Sequence, residues 1–124
     1  MQKYPLVSTV VISYMRSGYL YRTLKCLREY TKYPNMNIIV SDDGSEDIDK
    51  IKEVCELNQV DNLPLNPHKG FGDNCNAGIR AANGEFILFV EGDWELLPHC
   101  GNYIEECLEG FEKYEQLGMI RLNH

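Results

Sequence analysis

Four carboxylates stand in two pairs, Asp42 with Asp43 and Glu91 with Asp93, and each pair follows directly on a short apolar run, Asn37-Ile38-Ile39-Val40-Ser41 or Phe86-Ile87-Leu88-Phe89-Val90. Acids so placed have a chemistry. A continuous apolar run reads as a strand buried on both faces, and open parallel sheets bind ligands outside the carboxyl ends of their strands. Carboxylate oxygens there suit a hard cation, Mg²⁺ or Mn²⁺, that leaves room for phosphates. Acidic turns are also common punctuation after a strand, because Gly and Asp favour turns. Two such ends on one sheet set four carboxylates along one rim, and clustered like charges are costly unless a cation or a hydrogen-bonding ligand offsets them.

The elements that must position these acids follow from periodicity. Residues 7–14 are rich in β-branched side chains and predict a first strand, broken at Met15-Arg16-Ser17-Gly18. Leu20, Leu24 and Leu27 then share one face of a helix that starts at Tyr19 and closes near Tyr33-Pro34-Asn35. Strand, helix and strand in this order predict a parallel βαβ unit. A second helix carries Ile48, Ile51, Val54 and Cys55, with Glu46-Asp47 in its first turn. Residues 60–65, interrupted by Asn62 and Pro64, predict at most an edge strand. His68-Lys69-Gly70-Phe71-Gly72 reads as a flexible loop, followed by a helix through Asn74, Ala77, Ile79 and Ala82 that Asn83-Gly84 caps. A last helix has Tyr103, Ile104, Cys107, Leu108 and Phe111 on one face, and residues 119–122 predict one more strand. The fold class is α/β, with a mostly parallel sheet flanked by helices.

Composition narrows the function. The 124 residues fit one domain with a real core, and the 44% apolar and 25% charged fractions are those of a globular protein. A net charge of -7 argues against a nucleic-acid backbone or an anionic membrane as the main partner. No apolar stretch approaches the ~20 residues that span a bilayer, and Met1-Gln2-Lys3-Tyr4-Pro5 lacks the core of a signal peptide. A cytoplasmic location is expected. Five cysteines without a Cys-x-x-Cys pair predict reduced, packing thiols, Cys100 and Cys107 sharing a helix face. His68, His99 and His124 show no metal-ligand spacing. Gly70-x-Gly72 lacks the third glycine of a dinucleotide loop, and an EF-hand from Asp42 fails at Asp47, where glycine is required.

Taken together, VSTVVISYMRSGYL, NIIVSDDGSED and NPHKGFGDNCNAGIRAANGEFILFVEGDWELLP resemble the nucleotide-binding half of family 2 glycosyltransferases, over nearly all of the chain to Pro98. The resemblance implies a three-layer, Rossmann-like GT-A domain over residues 1–124 that binds a nucleotide-diphosphate sugar, a UDP-sugar favoured, for transfer to the hydroxyl of an unknown acceptor. By it, Ile12, Ser13 and Tyr14 line the base pocket, Asp43 accepts a hydrogen bond from the base, and Asp42 supports the turn. Lys69 and Asn76 are further nucleotide contacts. Asp93 holds Mn²⁺ or Mg²⁺, with Glu91 where the family usually has aspartate. Cys75 stands where the family often has arginine, so one phosphate or sugar contact is lost. The acceptor half, with its catalytic base, has no counterpart; Glu105 and Glu106 lie on a solvent-facing helix pattern. A second reading is therefore a truncated or vestigial module that binds the donor without turnover.

Overall fold

The computed structural model of the chain describes residues 3–122, so His124 lies outside them. Three strands form one parallel sheet: β1 (Val7–Ser13) at the centre, β2 (Met36–Asp42) on one side and β3 (Phe86–Glu91) on the other. Helix α1 (Ser17–Tyr30) connects β1 to β2, α2 (Ile48–Leu57) and α3 (Phe71–Ala81) lie between β2 and β3, and α4 (Tyr103–Lys113) follows. Every residue of β1 is buried. On one face, Val11, Ile38 and Val40 pack against Leu20, Leu24 and Leu27 of α1 and Ile51 and Cys55 of α2. Near the amino ends of β1 and β3, Val7, Phe86 and Leu88 meet Tyr103, Ile104 and Leu108 of α4. On the opposite face α3 comes so close that a Cβ on Gly78 would lie 2.6 Å from Val10 Cγ1. This is the three-layer α/β arrangement expected.

Several local expectations are corrected. The Phe86 to Val90 strand is not buried on both faces: β3 alternates between half-buried and exposed, with Ile87 and Phe89 at 44% and 40% exposure. It lies at the sheet edge, and only its Phe86, Leu88 and Val90 side faces helices. Residues 60–65 run along the outer edge of β2 with parallel bridges at Asn62 and Leu65. They form no regular strand, since Pro64 offers β2 only its carbonyl, 3.1 Å from the Asp42 N–H. The predicted loop is partly helical, as α3 starts at Phe71 and its cap is Gly70 at φ 104. Asn83-Gly84 forms no left-handed cap. Ala82 ends α3 in extended backbone, and the Gly84 N–H instead donates to Ser8 Oγ at 2.8 Å. Residues 119–122 form no strand, and Cys100 precedes α4, so it shares no helix face with Cys107.

All five cysteines are free thiols. Burial pushes the Cys55 thiol up to about 12, with the nearby Asp42 charge adding to it. Burial likewise pushes the Tyr103 phenol up to about 12, against a hydrogen bond to Thr31 Oγ1 that lowers it. Both groups are neutral when protonated, and both ionise more easily in the unfolded chain. Their contribution is therefore complete below the ordinary thiol value of 9.0 and declines as the pH climbs towards about 12. Urea midpoints measured between pH 8 and pH 11 are expected to hold to ~9 and fall steadily above it; a midpoint that stays level to pH 11 contradicts this.

Candidate functional site

Parallel pairing brings the three strand ends to one rim, with Ser13 opposite Asp42 and Ile12 opposite Glu91. β1 thus separates the two acidic pairs, and the turn after each strand decides what each acid does.

Asp42 is fully buried. Its Oδ2 accepts the Ser45 N–H at 2.8 Å and its Oδ1 the Ser45 hydroxyl at 2.7 Å, while Ser45 Oγ accepts the Met15 N–H at 2.8 Å. Met15 stands at φ 58, a backbone region non-glycine residues seldom adopt. The turn after β1, which carries Tyr14 and Arg16, is therefore fastened to the turn after β2. Gly44 is part of the same construction. At φ 77 its Cβ would lie 2.8 Å from the His68 nitrogen and 3.1 Å from the Asn66 carbonyl, so glycine lets residues 66–68 lie against the turn.

Asp43, also buried, receives that segment. Its Oδ1 accepts the N–H groups of Lys69 at 3.0 Å and Gly70 at 3.3 Å, and its Oδ2 lies 2.9 Å from His68 Nδ1. Below it a buried amide network holds α3 to the sheet. Ser41 Oγ donates to Asn74 Oδ1 at 2.7 Å, and Asn74 Nδ2 donates to the carbonyls of Ser41 at 3.0 Å and Ser13 at 3.3 Å. Asn66 Nδ2 joins it through Ser41 Oγ at 3.0 Å.

Two cavities open on this rim. The larger, about 250 Å³, is lined by Ile12, Ser13, Tyr14, Arg16, Phe71, Glu91, Gly92 and Asp93. The smaller, about 200 Å³, is lined by Asp43, Asn66, Lys69, Asp73, Asn74 and Arg80 among others. The residues singled out in the sequence are thus divided. Ile12, Ser13, Tyr14, Glu91 and Asp93 share the first cavity, Asp43 and Lys69 line the second, and Asp42 lies beneath the rim in its turn. Asn76 is exposed on α3 and lines neither.

Four residues carry the site and were not singled out as site residues. Arg16 and Phe71 line the first cavity, His68 stacks on Tyr14, and Asn74 is the buried asparagine of α3. Arg16 had a signal in its place directly after a central strand, and Asn74 in its spacing of four from the sheet-facing Gly78. Nothing in the spacing of His68 points to Tyr14.

Within the first cavity the charges oppose each other. Glu91 and Asp93 are exposed carboxylates, and the Arg16 guanidinium lies 5.9 Å from the Tyr19 ring, with no ion-pair partner among the described residues. Ser13 Oγ is buried there without a hydrogen-bond partner among the described residues. Cys75 lies near enough to Glu91 to feel its charge; burial first, then that charge, pushes its thiol up, so the position where the family often has arginine carries a neutral group. No group of three or more His, Cys, Asp and Glu gathers among the described residues. A protein-built metal cage is absent from them, whereas two neighbouring carboxylates on an open rim fit Mg²⁺ or Mn²⁺, ions that keep water and take phosphate oxygens.

Comparison with known proteins decides the family. Residues 8–120 match the family model for glycosyl transferase family 2. The chain belongs to that family. EpsH of Bacillus subtilis is 34% identical over 106 residues, covering 84% of this chain and 30% of EpsH. The amylovoran biosynthesis glycosyltransferase AmsB of Erwinia amylovora is 33% identical over 94 residues, covering 71% of this chain and 31% of AmsB. The chain thus spans about a third of the length of these relatives. Among solved structures, Staphylococcus aureus TarS 1-349 superposes with a TM-score of 0.68 at 22% identity, over 89% of this chain and 33% of TarS 1-349. The same TarS fragment solved in complex with UDP gives 0.70 at 21%, with the same coverage of both chains. The GT-A fold expected from the sequence is the fold of this family 2 domain.

Because the Asp42 carboxylate is satisfied, among the described residues, by Ser45, removing it strands two buried donors. Asp42→Ala is expected to cost about 2–4 kcal/mol of stability, read from urea denaturation followed by circular dichroism; a wild-type midpoint contradicts the assignment.

Proposed function

We propose that this domain binds a nucleotide-diphosphate sugar, a UDP-sugar foremost, for transfer of the sugar to an acceptor hydroxyl. The observation that carries the reading is the first cavity, where Arg16 shares one pocket with Glu91 and Asp93 at the carboxyl ends of β1 and β3. A diphosphate needs both kinds of group: donors and a cation for its oxygens, and carboxylates for the divalent ion that accompanies it. The complexes of TarS with UDP and with UDP-GlcNAc support a donor of this class.

In this reading the base lies beside Tyr14, a residue 43% exposed, with its imide N–H directed to Asp43, an acceptor-only carboxylate when ionised. The cation for the diphosphate is Arg16, whereas Lys69 lines the other cavity. Its forked guanidinium orients the diphosphate and offsets charge that grows on the leaving oxygen. Glu91 and Asp93 hold Mn²⁺ or Mg²⁺, which supplies Lewis-acid stabilisation of the departing nucleoside diphosphate. Asn76, which lines neither cavity, is given no donor contact in this reading. Glu105 and Glu106 do not reach this rim, since α4, which bears them, packs at the opposite end of the sheet. We assign donor binding to this chain and the acceptor step to the remaining length that its relatives possess. That step is the part of our reading that distinguishes a transferase from a binding module.

Among the described residues no helix is long and apolar enough to cross a membrane. Calorimetry with UDP tests the proposal. Binding is expected to strengthen on adding Mn²⁺. Asp93→Ala is expected to abolish that gain, and Arg16→Gln to weaken binding ~10-fold with or without the ion, the loss of one charge-assisted contact. A chain that binds no UDP in the presence of Mn²⁺ contradicts both the transferase and the module.

A further inference from the structure

The Tyr14 ring and the Asp43 carboxylate are already engaged, and by one side chain. The His68 imidazole lies 4.6 Å from the Tyr14 ring, centroid to centroid, with 12° between the planes. In the same position its Nδ1 is 2.9 Å from Asp43 Oδ2 and 3.1 Å from the Asp43 carbonyl. A flat heterocycle that stacks on Tyr14 while its in-plane ring N–H meets the carboxylate makes the two contacts a uracil imide makes in the reading above. We propose that His68 is a placeholder for the nucleobase, and that the donor enters by displacing the imidazole from Tyr14 and Asp43.

The partners of Asp43 differ in how readily they yield. Lys69 and Gly70 donate from backbone at the entrance to α3, and Gly70 caps that helix at φ 104. Moving them means remaking the junction. The His68 side chain is 58% exposed and is held at its ring by these contacts alone among the described residues. Rotation about its side-chain bonds frees one acceptor position on Asp43 Oδ2 and one Tyr14 face together, and leaves the backbone donors, the Gly70 N–H on that same oxygen at 3.2 Å included, to keep the carboxylate aimed. Close packing of the segment against Gly44 fixes the backbone of His68 beside the turn, so the imidazole returns to the same contacts when the base leaves. Donor affinity is then reduced by the fraction of molecules in which His68 occupies the position. A base without a ring N–H donor at that edge gains nothing from displacing it, so the exchange favours an imide.

The inference rests on the donor reading, and the experiment separates the two. His68 ring protons in the full chain are identified as the resonances missing from His68→Ala, and are expected to be shielded by the Tyr14 ring. Saturation with UDP and Mg²⁺ is expected to remove that shielding, and calorimetry is expected to give UDP ~3- to 10-fold tighter binding to His68→Ala than to the unaltered chain. UDP binding with His68 resonances unmoved overturns the placeholder and leaves the donor reading standing. So does weaker binding by His68→Ala, which makes His68 a clasp for the base. If neither protein binds UDP, both fall.

Discussion

A buried carboxylate that forms no ion pair among the described residues holds the rim of this domain together. Asp42 satisfies its oxygens with the backbone and hydroxyl of Ser45, and Ser45 in turn accepts the Met15 N–H. A buried charge is tolerated only when its hydrogen bonds are complete, so the turn after β2 has little freedom to rearrange. The turn after β1 inherits that constraint, and with it Tyr14 and Arg16. The rest of the site is arranged around these two linked turns: Gly44 admits residues 66–68, Asp43 receives the N–H groups of Lys69 and Gly70, and α3 begins.

The two neighbouring acids therefore do different work although they are adjacent in sequence. Asp42 faces the layer of α1 and α2, where its charge reaches Cys55. Asp43 faces the loop that leads into α3. The second acidic pair is of another kind again, since Glu91 ends the edge strand, Asp93 lies in the turn after it, and both are exposed. One sheet end thus presents a rigid acceptor on one side of β1 and free carboxylates on the other, with Arg16 between the elements that carry them. This division suits a ligand with a base at one end and a charged diphosphate at the other.

Much of this was legible in the residues. The alternation of apolar runs with helical spacing is enough for a parallel βαβ order, and the acid pairs mark the strand ends because polar residues cannot continue a buried strand. The exposure of β3 was not legible, because a five-residue apolar run reads the same whether one face or both are covered. Nor was the end of α3, where Asn83-Gly84 has the composition of a helix cap but its backbone is claimed by Ser8 on β1. Asn74 and Asn76 are two residues apart, and only the side of α3 that meets the sheet separates the buried network from the exposed surface. His68 was hidden for a different reason. Its partners Tyr14 and Asp43 lie far from it in the chain, and only the folded rim brings the three together.

The central claim is that the rim at the carboxyl ends of the three strands receives a nucleoside diphosphate, the base between Tyr14 and Asp43 and the diphosphate in the cavity beside β1 and β3. A crystal structure of the chain grown with UDP and Mn²⁺ tests it most directly. The account predicts uracil against Tyr14 with its imide edge at Asp43, and the diphosphate between Arg16 and the pair Glu91 and Asp93. UDP bound elsewhere on the chain, or bound with these residues untouched, contradicts it.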